Sequence, residues 1–212
     1  MRLFITMILA ALVAFSSLGY AQEAKTIALP APDTQGGRPL MQALKERKSQ
    51  REFSSKELGL PVLSNLLWAA AGVNRTEQGG RTAPTAMNMQ EIDVYVALPS
   101  GLYRYDARAH SLVPVLAEDI RAETGKQPFV KDAPVNLIFV ADTAKMGRTG
   151  AAADFYAATD TGYISQNVYL FCASEGLATV VRGMVDKPAL AKAMKLRPEQ
   201  TIILAQTVGY PK

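Results

Sequence analysis

Residues 154–175 restrict how this chain can fold more than any other segment of its sequence. They predict its longest helix, which Gly176 ends. The apolar residues of this segment are spread around most of the helix rather than along one stripe: Tyr163, Ile164, Val168, Leu170, Phe171 and Cys172. A helix that is apolar on most sides must be covered by other elements or by another chain. The sequence therefore predicts a helix buried in a core or in an interface.

Several segments around this helix have the patterns of strands. The continuous apolar run 135–141 predicts a central strand that is covered on both faces. The alternation in residues 91–98 predicts a half-buried strand. Further strands are predicted at 102–105 and 111–115, which form a hairpin, and at 178–181 and 201–208, and further helices at 40–48, 60–71, 117–124 and 187–195. This irregular alternation indicates an α+β fold around a mixed sheet.

The first 39 residues are predicted to lie outside that fold. Residues 1–21 combine an early Arg2, an apolar run of about 16 residues and small residues before position 22, which is typical of a secretory signal peptide. An uncleaved anchor is the alternative, but the run is shorter than the roughly 20 residues that span a bilayer. Residues 22–39 are rich in Pro, Gly and Ala and predict an exposed leader or linker. We therefore expect an exported, periplasmic protein without a membrane span after cleavage, and one domain at 40–212.

Composition and missing motifs exclude several classes of function. With one Cys and one His, the chain can form neither an intramolecular disulfide nor a Cys/His zinc site. Its net charge of +4 is too small to indicate a nucleic-acid partner. The phosphate loop, the Rossmann glycine fingerprint and the serine-nucleophile elbow are all missing from the sequence. Any chemistry must therefore come from other side chains or from a cofactor.

A basic cluster stands where the predicted helix 40–48 ends. Residues 47–51 read Arg-Lys-Ser-Gln-Arg, which places three cations and a hydroxyl within five positions. Arginine and lysine suit phosphate, arginine in a bidentate manner, and a serine can donate one more hydrogen bond. The alternative is a solvated basic helix end that the helix dipole favours.

Two further segments have groups that suit a ligand. Residues 81–90 form a polar turn before a strand, and its amides and hydroxyls could bind the edge of a planar heterocycle, although an ordinary capped loop is the alternative. Gly183 would let a backbone amide approach a ligand closely, with a simple strand-end turn as the alternative. His110, Cys172 and Trp68 are predicted to be structural, in a hairpin turn, a buried helix and an apolar helix face.

These segments together resemble the FMN-dependent nitroreductase superfamily over residues 40–212. The landmarks are residues 47–51 followed by Phe53, residues 63–72, residues 84–90, Asp160 with Gly162, Gln166 with Asn167, Gly176 with Leu177, and residues 208–211. Each is weak alone, but their order and spacing make the set specific. Residues 101–106 and 67–70 look closer to the azoline-oxidising dehydrogenase branch than to the classical nitroreductases.

The resemblance implies an α+β fold with a mixed, mainly antiparallel sheet and an intertwined homodimer that holds two FMN molecules in its interface. By resemblance, Arg47 would bind the FMN phosphate, Lys48 and Ser49 phosphate or ribityl oxygens, and Arg51 would lie near the flavin N1–C2=O edge. The partner subunit would contribute Pro84, Thr85, Ala86 and Asn88, and the Gly183 amide would face the N5/O4 edge.

The sequence departs from the family pattern at two places. Arg182 stands where many nitroreductases have a Glu, and we include it with Gly183 among the cofactor-binding candidates. Family members usually carry more basic phosphate ligands after the closing Gly-x-Pro, so here we expect phosphate binding to rest on Arg47, Lys48 and Lys212.

The resemblance therefore predicts an exported FMN oxidoreductase without a catalytic side chain. A ping-pong cycle would pass electrons through flavin N5 from a small-molecule donor to a nitro, quinone-like or other small organic acceptor. Nicotinamide cofactors are cytoplasmic, so the donor of an exported protein stays open. Two alternatives remain, an exported flavin-binding protein without turnover and a structural domain that has lost FMN.

Overall fold

The computed structural model describes residues 25–212, so the predicted signal peptide 1–21 lies outside the described residues. Nine strands are described: β1 Ile27–Ala28, β2 Val73–Arg75, β3 Gly80–Arg81, β4 Ile92–Leu98, β5 Gly101–Asp106, β6 Ser111–Leu116, β7 Val135–Asp142, β8 Ala178–Arg182 and β9 Gln200–Gly209. The α-helices of this range are α1 Leu40–Glu46, α2 Leu60–Ala71, α3 Thr143–Met146, α4 Ala151–Glu175 and α5 Lys187–Ala193. Within 25–212, no helix combines the length and apolarity that crossing a bilayer requires.

A seven-stranded sheet in the order β1-β6-β5-β4-β7-β9-β8 forms the centre of the molecule. Each of its strand pairs is antiparallel, which confirms the predicted α+β class and mainly antiparallel sheet. All eight residues of β7 are buried, and Ile138 lies opposite Tyr95 of β4 and Ala205 of β9. The continuous apolar run 135–141 therefore forms the central strand that it predicts.

Helices cover both faces of this sheet. On one face, Leu66 of α2 and Val168 of α4 pack in the same core as Phe139 of β7. On the other face, Leu190 of α5 packs with Ile138. Strand β4 is consequently more buried than the half-buried strand that its alternation predicts, since both of its faces meet core residues.

Helix α4 is the long helix that the sequence predicts, and it starts three residues earlier than expected. Gly176 ends it in the left-handed conformation with φ 70°. One side of α4 is buried in the core, whereas Phe155 and Tyr163 are exposed on another side, Phe155 at 66%.

Residues 25–39 are mostly exposed, but they are packed on the domain rather than free of it. Strand β1 pairs with β6, and Leu29 is buried in the core. The carbonyl of Pro30 accepts a hydrogen bond from Ser64 Oγ at 2.6 Å. The sequence missed β1 because a two-residue strand has no periodicity to detect.

Candidate functional site

The basic cluster of residues 47–51 follows α1 directly. The N–H of Arg47 donates to the carbonyl of Ala43 at 2.9 Å and ends the helix. Lys48, Ser49 and Arg51 are exposed, and Arg47 is half-buried. Within residues 25–212, no carboxylate forms an ion pair with these three cations. Their charge is therefore available to an anion from outside the chain.

Tyr169 of α4 holds this cluster in place. Its hydroxyl lies 2.7 Å from Ser49 Oγ and accepts the N–H of Val181 at 3.0 Å. The guanidinium of Arg47 lies over its ring, 5.3 Å from the centroid. Because the phenol oxygen already accepts an amide, its own proton can be donated to Ser49, which leaves the serine proton for a ligand.

Strand β8 connects the basic cluster with Gly183 along the chain. The N–H of Gln50 donates to the carbonyl of Thr179 in β8 at 2.9 Å, and Gly183 follows the last residue of that strand. Gly183 is exposed, and a Cβ added to it would meet only Leu204 Cδ2 at 3.9 Å. Packing within the described chain therefore does not require a glycine here, and the open backbone suits the close approach of a ligand.

The last residues of the chain return to the segment that follows the cluster. Phe53 forms an isolated bridge with Pro211, and the N–H of Ser54 donates to the carbonyl of Tyr210 at 2.9 Å. Lys212 follows directly and is exposed. The structure thus brings Lys212 to the chain segment just after Arg51.

The prediction that Arg182 binds the cofactor is wrong for its side chain. Only 4% of Arg182 is exposed, and its guanidinium donates to the Thr124 carbonyl at 2.6 Å, to Asn136 Oδ1 at 3.0 Å and to Thr207 Oγ1 at 3.0 Å. Burial lowers the pKa of Arg182 to about 10. The guanidinium is fully engaged inside the protein, so Arg182 is a structural residue.

Residues 84–90 form a separate, strained loop. Met87, Asn88 and Gln90 have φ of 50°, 55° and 51°, a region that costs non-glycine residues roughly 1–3 kcal/mol each. The N–H of Ala86 donates to Asp160 Oδ2 at 2.9 Å, and Thr85 Oγ1 accepts the N–H of Gln90. Pro84 and Asn88 are exposed.

The loop and the basic cluster contact different parts of helix α4. Asp160, which binds the loop, lies nine positions before Tyr169, which binds the cluster, and the helical rise separates them by about 13 Å. Within one chain, the loop and the basic cluster are therefore held at different positions along α4.

The residues predicted to be structural are engaged within the protein. His110 Nε2 lies 2.7 Å from Ser64 Oγ and its Nδ1 lies 2.9 Å from the hydroxyl of Tyr105, and burial lowers the His110 pKa. Cys172 is buried, and burial raises the pKa of its thiol. Trp68 Nε1 donates to the carbonyl of Val73 at 3.2 Å.

Comparison with known proteins identifies relatives of this chain. The sequence model of the nitroreductase family matches residues 44–210. A Methanocaldococcus jannaschii protein with a provisional nitroreductase name is 32% identical over 176 residues, which cover 78% of this chain and 88% of that protein. A protein from Ralstonia eutropha JMP134, also provisionally named a nitroreductase, is 47% identical to this chain in sequence. Its crystal structure matches this one with a TM-score of 0.85, over 89% of this chain and 90% of that chain.

A more distant structure resembles the chain in fold alone. The NADPH:FMN oxidoreductase of Vibrio harveyi, solved in complex with NAD⁺, is 17% identical and has a TM-score of 0.62. The match covers 82% of this chain and 69% of that one.

Proposed function

This chain belongs to the nitroreductase family, and from that premise we propose that it is an FMN-dependent oxidoreductase. The family is one of oxidoreductases, and one structural neighbour carries FMN in its name. The observation that carries the proposal is the basic cluster 47–51, whose cations form no ion pair within residues 25–212. Tyr169 holds this cluster beside the strand that leads to Gly183.

The donors of this cluster fit the chemistry of FMN. Arg47, Lys48 and Lys212 offer positive charge to a phosphate, and the Ser49 hydroxyl adds a neutral donor. The open peptide at Gly183 can accept a flat ring against the backbone, and Arg51 would place positive charge beside that ring. FMN, when bound, supplies the electron-transfer chemistry, so the chain needs to bind, orient and shield it.

We propose further that two copies of the chain complete the site. Exposed apolar residues on two neighbouring helices favour a self-association surface, which we define as Leu40, Met41 and Leu44 of α1 with Phe155 and Tyr163 of α4. A second copy would also explain why the loop 84–90 is separated from the basic cluster within one chain. In the homodimer, Pro84, Thr85, Ala86 and Asn88 of one subunit would contact the FMN of the other.

The proposal also covers the cellular location of the protein and its electron donor and acceptor. We propose that residues 1–21 direct export to the periplasm, and that a small-molecule donor and a nitro, quinone-like or other organic acceptor react in turn at the same cofactor. Because NADH and NADPH are cytoplasmic, their activity in vitro would not identify the donor. A protein that retains FMN but is reduced by none of the tested donors would instead be a non-catalytic flavin-binding protein.

Arg47→Ala tests the proposed phosphate contact. Residues 22–212 are purified without added flavin, and FMN binding is titrated by fluorescence quenching. Loss of a charge-assisted hydrogen bond of about 1.5–3 kcal/mol should raise the FMN dissociation constant roughly 10- to 100-fold. Lys192→Ala, which removes an exposed cation of α5, serves as the matched control and should bind like the wild type.

Two outcomes contradict the proposal. Wild-type affinity in Arg47→Ala removes the phosphate assignment, and equal losses in both variants indicate a general effect of charge. A wild-type protein that binds no FMN in solution leaves a nitroreductase-like fold that has been reused for another purpose.

A further inference from the structure

Residues 29–38 lie across the surface of the domain as a strap that is held at three points. Three of its N–H groups donate to the domain: Leu29 to the His110 carbonyl at 3.2 Å, Asp33 to Asn65 Oδ1 at 2.8 Å and Arg38 to Ser174 Oγ at 2.7 Å. These acceptors belong to the β5–β6 turn, to α2 and to α4. The strap therefore connects three elements that are distant in sequence.

The imidazole of His110 lies between the strap and the domain. Its Nε2 lies 3.1 Å from the Pro30 carbonyl of the strap and 2.7 Å from Ser64 Oγ of α2. The Ser64 hydroxyl itself donates to the Pro30 carbonyl at 2.6 Å. On the other side of the ring, Nδ1 lies 2.9 Å from the hydroxyl of Tyr105 in β5.

These contacts determine which nitrogen of His110 carries the proton. Ser64 has one hydroxyl proton, which it donates to Pro30, and a carbonyl has no proton to donate, so Nε2 must be the donor in its contacts. Nδ1 of the neutral ring is then unprotonated and accepts from the Tyr105 hydroxyl. Burial raises the pKa of Tyr105, so this phenol keeps its proton. The neutral imidazole therefore has a matching partner at both nitrogens.

A second proton on the ring disrupts this arrangement. Nδ1 would become a donor that faces a donor, and the hydroxyl of Tyr105, a residue that is 4% exposed, would have to turn its proton away. Burial lowers the pKa of His110 below its usual 6.5, although the hydrogen bond to Pro30 acts in the opposite direction. A histidine with a lowered pKa stabilises the closed strap above that usual value, and this contribution is lost as the pH falls below it.

The elements around the ring contain few other ionisable groups. Neither residues 29–32 of the strap nor α2 includes a charged side chain. The turn that ends at His110 contains Asp106 and Arg108, and Asp106 Oδ1 accepts the N–H of Arg108 at 3.0 Å. With Tyr105 of β5, these are the ionisable groups of the elements in contact with the ring. Since Asp106 is engaged with the backbone of the turn, the hydrogen bonds of the ring dominate its protonation.

The strap also lines two clefts that have Trp68 in common. One cleft of about 590 Å³ includes Asp33 and Arg38 in its wall. The other, of about 820 Å³, includes Pro32 and His110. Movement of the strap would therefore change the walls of both clefts.

We propose that His110 is a pH-sensitive contact that holds residues 29–32 of the strap on the domain while its ring is neutral and releases them as the pH falls below neutral. In the open state the charged ring is hydrated, and the Pro30 carbonyl and the Ser64 hydroxyl are exposed to water. Both clefts then lose this part of their walls. Ser64, Tyr105 and His110 are positioning residues here, and the proposal is independent of FMN and of the proposed function.

Hydrogen exchange measured by mass spectrometry tests the release of the strap. Residues 22–212, purified without a histidine tag, are compared at about pH 7.5 and about pH 5, on either side of the usual histidine pKa, after correction for intrinsic exchange rates. We expect the protection of residues 28–34 to fall about fivefold or more at the lower pH, since the open strap binds the proton more strongly than the closed one. The central strand β7 should keep its protection and serves as the internal control.

His110→Gln removes the titration and keeps a donor. Its amide can donate to Ser64 and Pro30 and does not change its charge between the two pH values. The strap of this variant should therefore be equally protected at both. A loss of protection in His110→Gln that equals the loss in the wild type overturns the proposal, and so does constant protection in the wild type.

Nuclear magnetic resonance measures the titration of the ring itself. His110 is the single histidine of the sequence, so its ring proton signal gives its pKa without assignment. Tyr105→Phe keeps the aromatic ring but removes the donor that faces Nδ1, so the His110 pKa should rise towards its usual value and the pH effect on the strap should shrink. Tyr103→Phe, whose hydroxyl donates to Ser100 Oγ instead, is the matched control in β5 and should change neither.

The tyrosine pair keeps the proposal testable if His110→Gln does not fold or leaves the strap open. A wild-type His110 pKa at or above about 6.5, or equal His110 pKa values in Tyr105→Phe and Tyr103→Phe, overturns the proposal. A lowered wild-type pKa that rises in Tyr105→Phe alone, together with loss of strap protection at the lower pH, supports it.

Discussion

At the scale of single residues, Tyr169 connects three parts of the candidate site. Its hydroxyl contacts Ser49 and Val181, and its ring supports the Arg47 guanidinium. Tyr169→Phe keeps the ring but removes the hydrogen bond to Ser49. A neutral hydrogen bond contributes about 0.5–1.5 kcal/mol, so we expect the FMN dissociation constant to rise roughly 2- to 10-fold. A fluorescence titration measures this change, and thermal unfolding of the same samples shows whether the fold is intact.

Tyr103→Phe is the control for that prediction. It removes a phenol that donates to Ser100 Oγ at 3.2 Å, in β5 and away from the basic cluster. Its affinity for FMN should equal that of the wild type. If Tyr169→Phe also binds FMN as the wild type does, the hydroxyl of Tyr169 does not position Ser49.

The same scale shows which site residues the sequence could predict. The side chains of Arg47, Lys48, Ser49 and Arg51 are recognisable by type and spacing. In the part of the chain that the structure describes, no carboxylate pairs with their cations. The error at Arg182 has a physical cause, because successive residues of a strand point to opposite faces. Which face is interior depends on the sheet partners of β8, and a single sequence does not show them.

At the scale of elements, the guanidinium of Arg182 joins β8 to the 3₁₀ helix Arg121–Thr124 and to β7 and β9. A Cβ on Gly125 would lie 1.9 Å from Arg182 Nη1, so Gly125→Ala must displace the guanidinium. Several buried hydrogen-bond partners would then be left unsatisfied, and we expect a loss of about 2–4 kcal/mol in the free energy of unfolding. Urea denaturation followed by circular dichroism measures it.

Gly59→Ala provides the comparison for that substitution. A Cβ on Gly59 would meet only Pro61 Cδ at 3.7 Å, an ordinary contact, so this variant should unfold at nearly the wild-type urea concentration. Equal stabilities of the two variants would show that the Arg182 network tolerates displacement.

Long helices and strands are predicted correctly from the sequence more often than short ones. Residues 60–71 and the run 135–141 contain enough residues to show a period, and both elements are found where they are predicted. No strand is predicted at residues 73–80, where the structure has most of the β2–β3 hairpin, and residues 117–124 contain a 3₁₀ helix rather than an α-helix. These short elements are stabilised by contacts with the rest of the fold, which have no local pattern in the sequence.

At the scale of the whole molecule, the candidate site is divided between two places. Tyr169 organises one place and Asp160 the other, about 13 Å apart along α4. Both halves of the predicted site are therefore positioned by the helix that most restricts the fold. In the proposed homodimer, a second copy of the chain would bring the two halves together.

The proposed self-association surface can be tested by a substitution at Phe155. Phe155 is 66% exposed on α4, and a lysine in its place would put a charge into a desolvated contact between subunits. We expect residues 22–212 to form a dimer by light scattering, and Phe155→Lys to form a monomer that has lost most of its FMN after desalting. Val115→Lys, a comparable change at an exposed apolar residue of β6, should remain a dimer that retains FMN. Retention of one FMN per chain by a monomer would contradict the shared site, because the loop 84–90 of a partner would then be unnecessary.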